Sequence, residues 1–217
     1  MTGTGPVMAI ARRIRRRVSD TIYRVGPARY YQPAYRQIAT SINLQSGAFL
    51  DLGCGPGWLC VHVASSKPAV DAVGIDFSSQ MVTVARNNNA RWPNITVQQM
   101  DARNILFPDS SFDVVAAVQT AHHWSDKRLI LAEIHRVLKP GGRLYLYEAD
   151  REAVDIPEGW IERRFGWPPS RLVVNGWQRF GMNEAEWADL QVDARALGFS
   201  NHVEDRHGFY RRLVLHK

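Results

Sequence analysis

The run Phe49-Leu50-Asp51-Leu52-Gly53-Cys54-Gly55-Pro56-Gly57 constrains the fold more than any other part of the chain. An apolar strand here runs into a glycine-rich turn that opens a helix, Trp58 to Ala64. Glycines let a backbone approach a ligand closely, and the free amides at a helix start favour an anionic group such as a carboxylate. Two other glycine-loop patterns fail. The dinucleotide pattern G-x-G-x-x-G requires glycine at position 58, where Trp58 stands, and the phosphate loop G-x-x-x-x-G-K-[ST] has no match. What remains is a D-x-G-x-G-x-G loop at the end of a first strand.

From Ala48 onward, apolar runs alternate with segments of helical period, the pattern of β-α units feeding a mostly parallel sheet. The strands are expected at Ala48 to Leu52, Val70 to Ile75, Ile95 to Gln98, Val114 to Val118 and Arg143 to Glu148. Ser78 and Asp126 are placed to cap helices over Ser78 to Asn88 and Asp126 to Leu138, and Lys139-Pro140-Gly141-Gly142 reads as a helix stop and turn. A third helix is expected from Asn183 to Leu197, capped by Gly198, followed by closing strands at Asn201 to Glu204 and Gly208 to His216. The organisation is then a basic N-terminal helical extension (1–46), a binding core (47–150), an irregular aromatic insertion resembling a lid (151–182), and a helix and strand pair that complete the same domain (183–217).

Charge is concentrated at the start. Eight of the arginines and one acid, Asp20, fall before residue 37, giving +7, while the whole chain sums to +6. Ile10, Ile14, Val18 and Ile22 recur every fourth residue among these arginines, an amphipathic helix suited to an anionic membrane surface or nucleic acid, or to docking on the protein with its arginines in water. No apolar run reaches the roughly 20 residues of a membrane span, and the start lacks a signal-peptide block, so a cytoplasmic protein is expected, with peripheral membrane contact left open. Cys54 and Cys60 lack the spacing of a redox pair or zinc site; both are expected as thiols, and no metal is expected.

Beyond the next strand, Gly74-Ile75-Asp76 puts a carboxylate at a strand end about 20 residues after the loop, where it can accept ribose hydroxyls. The strand after that leads to Met100-Asp101-Ala102, where Asp101 can accept an exocyclic adenine amine while Phe77 and Met81 flank the ring. These strand ends share one edge of the sheet, the usual ligand crevice of open α/β folds.

At this point the chain resembles the class I S-adenosylmethionine-dependent methyltransferases, and within them the quinone and menaquinone biosynthesis type. The resemblance runs through DLGCGPG, VGID, MDARNILFPDSSFDVV, AVQTAHHW and EIHRVLKPGGRL in that order. It implies a Rossmann-like sheet of seven strands in the order 3-2-1-4-5-7-6, with the last strand antiparallel and helices on both faces. It implies that Asp51, Gly53 and Gly55, with Cys54 as a small loop residue between them, hold the methionine end of S-adenosylmethionine. Asp76 takes the ribose, Asp101 with Ala102 the adenine, and Gln119 lines the pocket near the methyl group; S-adenosylhomocysteine is the implied product.

Methyl transfer from a sulfonium has a good leaving group, so alignment supplies much of the catalysis and a base is optional. Where the acceptor carries an ionisable proton, His122 or His123 in Thr120-Ala121-His122-His123-Trp124 is the candidate base, with a structural role as the alternative. Tyr31, Tyr35, Trp124, Trp160 and Trp167 are the candidate acceptor contacts, because aromatic faces suit an apolar or planar compound; helix packing or an interface explains them equally well. The expected reaction is methylation of a small aromatic, quinone-like or lipidic acceptor at O, C or N. An RNA or protein methyltransferase using the basic helix is the runner-up, although the N-P-P-[YF] signature is missing where Gln119-Thr120-Ala121-His122 stands, which argues against nucleic acid. A third reading retains the cofactor without transferring methyl. Nothing in the sequence addresses the oligomeric state.

Overall fold

A computed structural model describes residues 32–151, 181–207 and 210–217. In chain order the elements are α1 (Gln32–Ser41), β1 (Ser46–Leu52), α2 (Trp58–Ser66), β2 (Ala69–Asp76), α3 (Ser79–Asn89), β3 (Ile95–Gln99), β4 (Phe112–Val118), a single 3-10 turn (Ala121–His123), α4 (Lys127–Val137), β5 (Leu138–Ala149), α5 (Glu184–Ala196), β6 (Ser200–His207) and β7 (Tyr210–His216). They build one seven-stranded sheet ordered β3-β2-β1-β4-β5-β7-β6, the expected Rossmann-like order. β1 through β5 pair in parallel, and β7 runs antiparallel to both β5 and β6.

The alternation of side chains along the strands divides the core into two layers. Leu50, Val115, Ala117, Leu144, Leu146, Leu213 and Leu215 face α4 and α5, where Leu131, Ile134 and Trp187 meet them. Phe49, Val114, Ala116, Tyr145, Tyr147 and Val214 face the opposite layer, filled by Ile38 of α1, Ile42 just after it, and Leu59 and Val63 of α2. Each strand of the centre is buried on both faces, which explains why β4 reads as an unbroken apolar run with no polar alternation.

The helix starts follow the sequence. Ser78 accepts the amide of Met81, Asp126 accepts that of Leu129 at 2.9 Å, and Asn183 forms a reciprocal capping box with Glu186. The largest boundary difference from the sequence reading is at β5, which begins at Leu138 and not at Arg143. Leu138 belongs to β5, not to the preceding helix, and the Lys139-Pro140-Gly141-Gly142 turn lies within that strand as an irregularity in its register with β4. The turn is held by the far end of β7: Gly141 donates its amide to the carbonyl of Lys217 at 3.0 Å, and Lys217 returns one to Gly142 at 3.0 Å. A glycine turn in isolation does not reveal that it will be paired by a strand from elsewhere in the chain.

α1 covers the outer end of the tyrosine layer. The Tyr147 hydroxyl lies 2.7 Å from Ser41 Oγ, and buried Lys67 donates Nζ to the carbonyls of Ala39 and Ile42, tying the end of α1 to the end of α2. Among the described residues no helix is long and apolar enough to cross a membrane. The arginine-rich stripe from Ile10 to Ile22, Tyr31 and the aromatic insertion with Trp160 and Trp167 lie outside the described residues.

Candidate functional site

The carboxyl ends of β1, β2, β4 and β5 converge where the strand order reverses, between β1 and β4. This is the crevice that open α/β sheets use for ligands. The chain turns there at Gly53, whose φ of +74° favours glycine and whose would-be β-carbon would lie 2.3 Å from Thr120 Oγ1. The glycine therefore lets the loop after β1 press against the loop after β4. At the helix entrance, Gly57 at φ +79° has its would-be β-carbon 2.7 Å from the Asn89 side chain of α3, so this glycine is required by helix packing.

The loop is stitched to β2. Gly53 and Cys54 both donate their amides to the Ile75 carbonyl, at 2.8 and 2.9 Å, and Gly55 donates to Asp76 Oδ2 at 2.9 Å. Asp76 Oδ1 accepts the amide of Ser78 at 2.8 Å. The strand-end aspartate is thus a brace between the glycine loop and the start of α3. β3 joins the same edge through the Met100 amide, which donates to the Asp76 carbonyl at 3.0 Å.

Asp51 lies at the end of β1, almost fully buried, with a weak hydrogen bond from Cys60 Sγ at 3.5 Å and no ion-pair partner among the described residues. Burial raises its pKa to about 7; the Cys60 hydrogen bond opposes the rise and the charge of Asp76 adds to it. Burial also pushes the thiols of Cys54 and Cys60 well up, so both are inert at neutral pH.

Asp101 is half-buried and gripped by Arg103, whose Nε and Nη2 donate to its two oxygens; these hydrogen bonds hold its pKa low. Ala102 is half-buried beside it, Phe77 is 54% exposed and Met81 is buried under the start of α3. The residues expected at the adenine end thus fall on neighbouring loops, with Phe77 largely exposed and Met81 part of the core.

On the other side of the crevice, Gln119 has a φ of +54°, rare for a residue with a side chain, and its amide donates to the Tyr147 carbonyl at 2.8 Å. Its side-chain Nε2 is buried with no hydrogen-bond partner among the described residues. Next in sequence, the amides of Thr120 and Ala121 both donate to Oε1 of Glu148, and His122 Nδ1 lies 2.8 Å from Glu148 Oε2. Glu148 is fully buried, and its ladder of three contacts fixes the short turn that bears both histidines. The His122 and His123 ring centroids lie 3.9 Å apart, with the rings tilted by 50° to each other. His123 retains an exposed edge, yet partial desolvation and then the neighbouring imidazole lower its pKa to about 4, so it is neutral at physiological pH. Trp124 packs in the α4/α5 core, with its indole nitrogen buried and unpartnered among the described residues, and Tyr35 is buried in the α1/α2 layer.

Glu148 and Thr120 were not singled out from the sequence. The available signal was the acid interrupting Leu144-Tyr145-Leu146-Tyr147-Glu148-Ala149, since a carboxylate inside a doubly buried strand has to find partners.

Residues 50–146, from the end of β1 into β5, match the family described as Methyltransferase domain. The matched segment, rather less than half of the chain, is thus similar to a methyltransferase domain. Its relatives include a fatty-acid O-methyltransferase of Mycolicibacterium smegmatis, 31% identical over 67% of this chain and 52% of the relative. A demethylmenaquinone methyltransferase of Deinococcus radiodurans is 38% identical over 46% of this chain and 42% of the relative. The chain spans about half the length of these curated relatives. A S-adenosylmethionine-dependent methyltransferase structure from Aquifex aeolicus superposes with a TM-score of 0.65 at 20% identity, covering 84% of this chain and 88% of that one, a likeness of fold. In the methyltransferase domain the expected cofactor residues Asp51, Gly53, Cys54, Gly55 and Asp76 fall in one connected loop system, and Gln119 lies across the crevice from it.

Proposed function

We propose that this protein transfers the methyl group of S-adenosylmethionine to a small aromatic, quinone-like or lipidic acceptor. The observation that carries the reading is Asp51: a carboxylate buried at the end of β1 with no cation beside it among the described residues, next to a glycine loop stitched to β2. Burying a carboxylate is costly unless a positive group meets it, and the ammonium of the methionine moiety is that group. The Gln119 side-chain Nε2, buried and without a hydrogen-bond partner among the described residues, fits the polar end of the same ligand.

Asp76 has the acceptor capacity for the ribose as well as for its two amides, since a carboxylate offers about four lone-pair sites. Asp101 takes the adenine amine by exchanging its grip on Arg103, with Ala102 and the exposed Phe77 beside the ring and Met81 supporting from below. His122 and His123 stand at the acceptor side of the crevice, with Tyr35 and Trp124 in the walls behind it. The acceptor class follows the relatives, whose names specify a fatty acid and a demethylated menaquinone.

The deciding measurement is calorimetric titration of the purified protein with S-adenosylmethionine and S-adenosylhomocysteine, followed by product masses after incubation with phenols, quinols and fatty acids. Binding of both nucleosides and a gain of one methylene unit in an acceptor support the reading. Binding with unchanged acceptor masses supports a protein that keeps the cofactor for another purpose, and absence of binding overturns the reading.

A further inference from the structure

We infer that Asn88 and Asn89, the last two residues of α3, are positioning residues that hold the exit of the cofactor loop at a fixed distance from Asp76. The inference rests on the methyl-transfer reading of the crevice and adds to it a pair of residues outside both the loop and the strand ends.

The proposed cofactor is gripped at two separated places, its methionine end at the glycine loop and its ribose at Asp76. The loop is rich in glycine, so it does not fix that separation by itself. α3 does. It is a rod of 11 residues, about 16 Å long at the rise of an α-helix. At its start, Asp76 Oδ1 accepts the Ser78 amide at 2.8 Å, and Ser78 caps the helix. At its end, Asn88 Nδ2 donates to the Pro56 carbonyl of the loop at 2.9 Å. The Gly55 amide, bonded to Asp76 Oδ2 at 2.9 Å, closes the circuit. Loop, aspartate and helix thus form one ring joined by hydrogen bonds, with Val82 and Ala85 of the helix packed against Cys54 of the loop. Breaking the Asn88 bond frees the loop where it enters α2 and leaves both bonds to Asp76 in place.

Asn89 seats the helix on the same point. A β-carbon on Gly57 would lie 2.7 Å from Asn89 Nδ2 and 3.0 Å from the Ala85 β-carbon, so α3 rests directly on the residue where the loop becomes α2. Asn89 is almost fully buried, and neither Nδ2 nor Oδ1 has a hydrogen-bond partner among the described residues. A carboxamide buried in that way works against stability. Departures of this kind concentrate where function demands a particular geometry. Here that geometry is the spacing between the two grips on the cofactor.

The test measures calorimetric binding of S-adenosylhomocysteine and of adenosine to wild type, Asn88→Leu and Asn88→Gln, with the melting temperature of each. S-adenosylhomocysteine reaches both grips, adenosine only the one at Asp76. Leucine keeps the branched shape and removes the donor; glutamine returns the donor on a longer stem. Asn88→Leu is expected to bind S-adenosylhomocysteine about tenfold more weakly, the effect of one lost hydrogen bond, with adenosine affinity unchanged. Asn88→Gln should recover part of the loss. If Asn88→Leu does not fold, Asn89→Ala, which removes the contact with Gly57, carries the same comparison. Unchanged S-adenosylhomocysteine affinity, or an equal loss for both ligands, overturns the positioning role. So does a wild type that binds S-adenosylhomocysteine but no adenosine, since the two grips are then not separate. Failure of the wild type to bind S-adenosylhomocysteine at all overturns the underlying methyl-transfer reading instead.

Discussion

Gly53 and Thr120 come from different halves of the sheet and touch where a β-carbon on residue 53 would lie 2.3 Å from the Thr120 hydroxyl oxygen. The contact joins the loop that carries the proposed donor site to the turn that carries His122 and His123. Gly53→Ala meets two penalties, a left-handed backbone worth about 1–2 kcal/mol and overpacking worth about 1–3 kcal/mol. Thermal unfolding should show a loss of about 2–5 kcal/mol. Adding Thr120→Ala should recover part of the overpacking share, since the β-carbon of residue 120 would still lie 2.9 Å away, and leave the backbone share. Full recovery in the double variant would show that the backbone conformation carries no cost.

Asp51 gives the site a proton linkage. With its pKa raised to about 7 by burial, the free protein holds a proton on Asp51 through the mildly acidic range, whereas an incoming ammonium requires the ionised form. Cofactor affinity should rise with pH up to about 7 and then level. Calorimetry near pH 6 in buffers of different ionisation enthalpy should register proton release in wild type and none in Asp51→Asn. Stability follows the opposite course. The folded state binds the proton more tightly than the unfolded chain, so the ligand-free protein should lose stability as pH rises from about 4 to about 7, a slope that Asp51→Asn removes.

Arg103 holds Asp101 on an exposed loop, where water and salt screen the pair and leave it little weight in stability. Arg103→Ala should leave the melting temperature nearly unchanged. If Asp101 serves the adenine amine, the same variant should bind S-adenosylmethionine at least as well as wild type while Asp101→Ala binds it more weakly. A loss of affinity in Arg103→Ala would assign the contact to the arginine.

Lys67 closes the end of α1 with two hydrogen bonds from its ammonium to main-chain carbonyls. Lys67→Met keeps the aliphatic stem and leaves both carbonyls without this donor, at about 1–3 kcal/mol for each carbonyl left unsatisfied. Because α1 packs over the tyrosine layer, hydrogen exchange should quicken in residues 34–42 before it does so in β1 or β4.

Much of this molecule was legible from its letters. The caps at Ser78, Asp126 and Asn183 are local chemistry, the strand order accompanies the motif order, and the loop from Asp51 to Gly57 declares its position by composition. The features that were not legible depend on contacts distant in sequence. Leu138 joins a strand because Phe112 pairs with it, and Gly141 and Gly142 are clasped by Lys217. The role of Glu148 emerges only when a turn 26 residues earlier delivers His122 to it. Asp76 illustrates both cases: its place at the strand end follows from the spacing, whereas its bracing of Gly55 and Ser78 requires the folded loop.

The junction of β1 with β4 aligns three residues, Phe49 to Asp51 with Val114 to Ala116, where β1 and β2 align seven. The molecule is most thinly sewn along the line where its proposed ligand sits. Whatever settles between Asp51 and Gln119 therefore acts as a fastener across that line, and occupancy of the site becomes part of what keeps the two halves of the sheet in register.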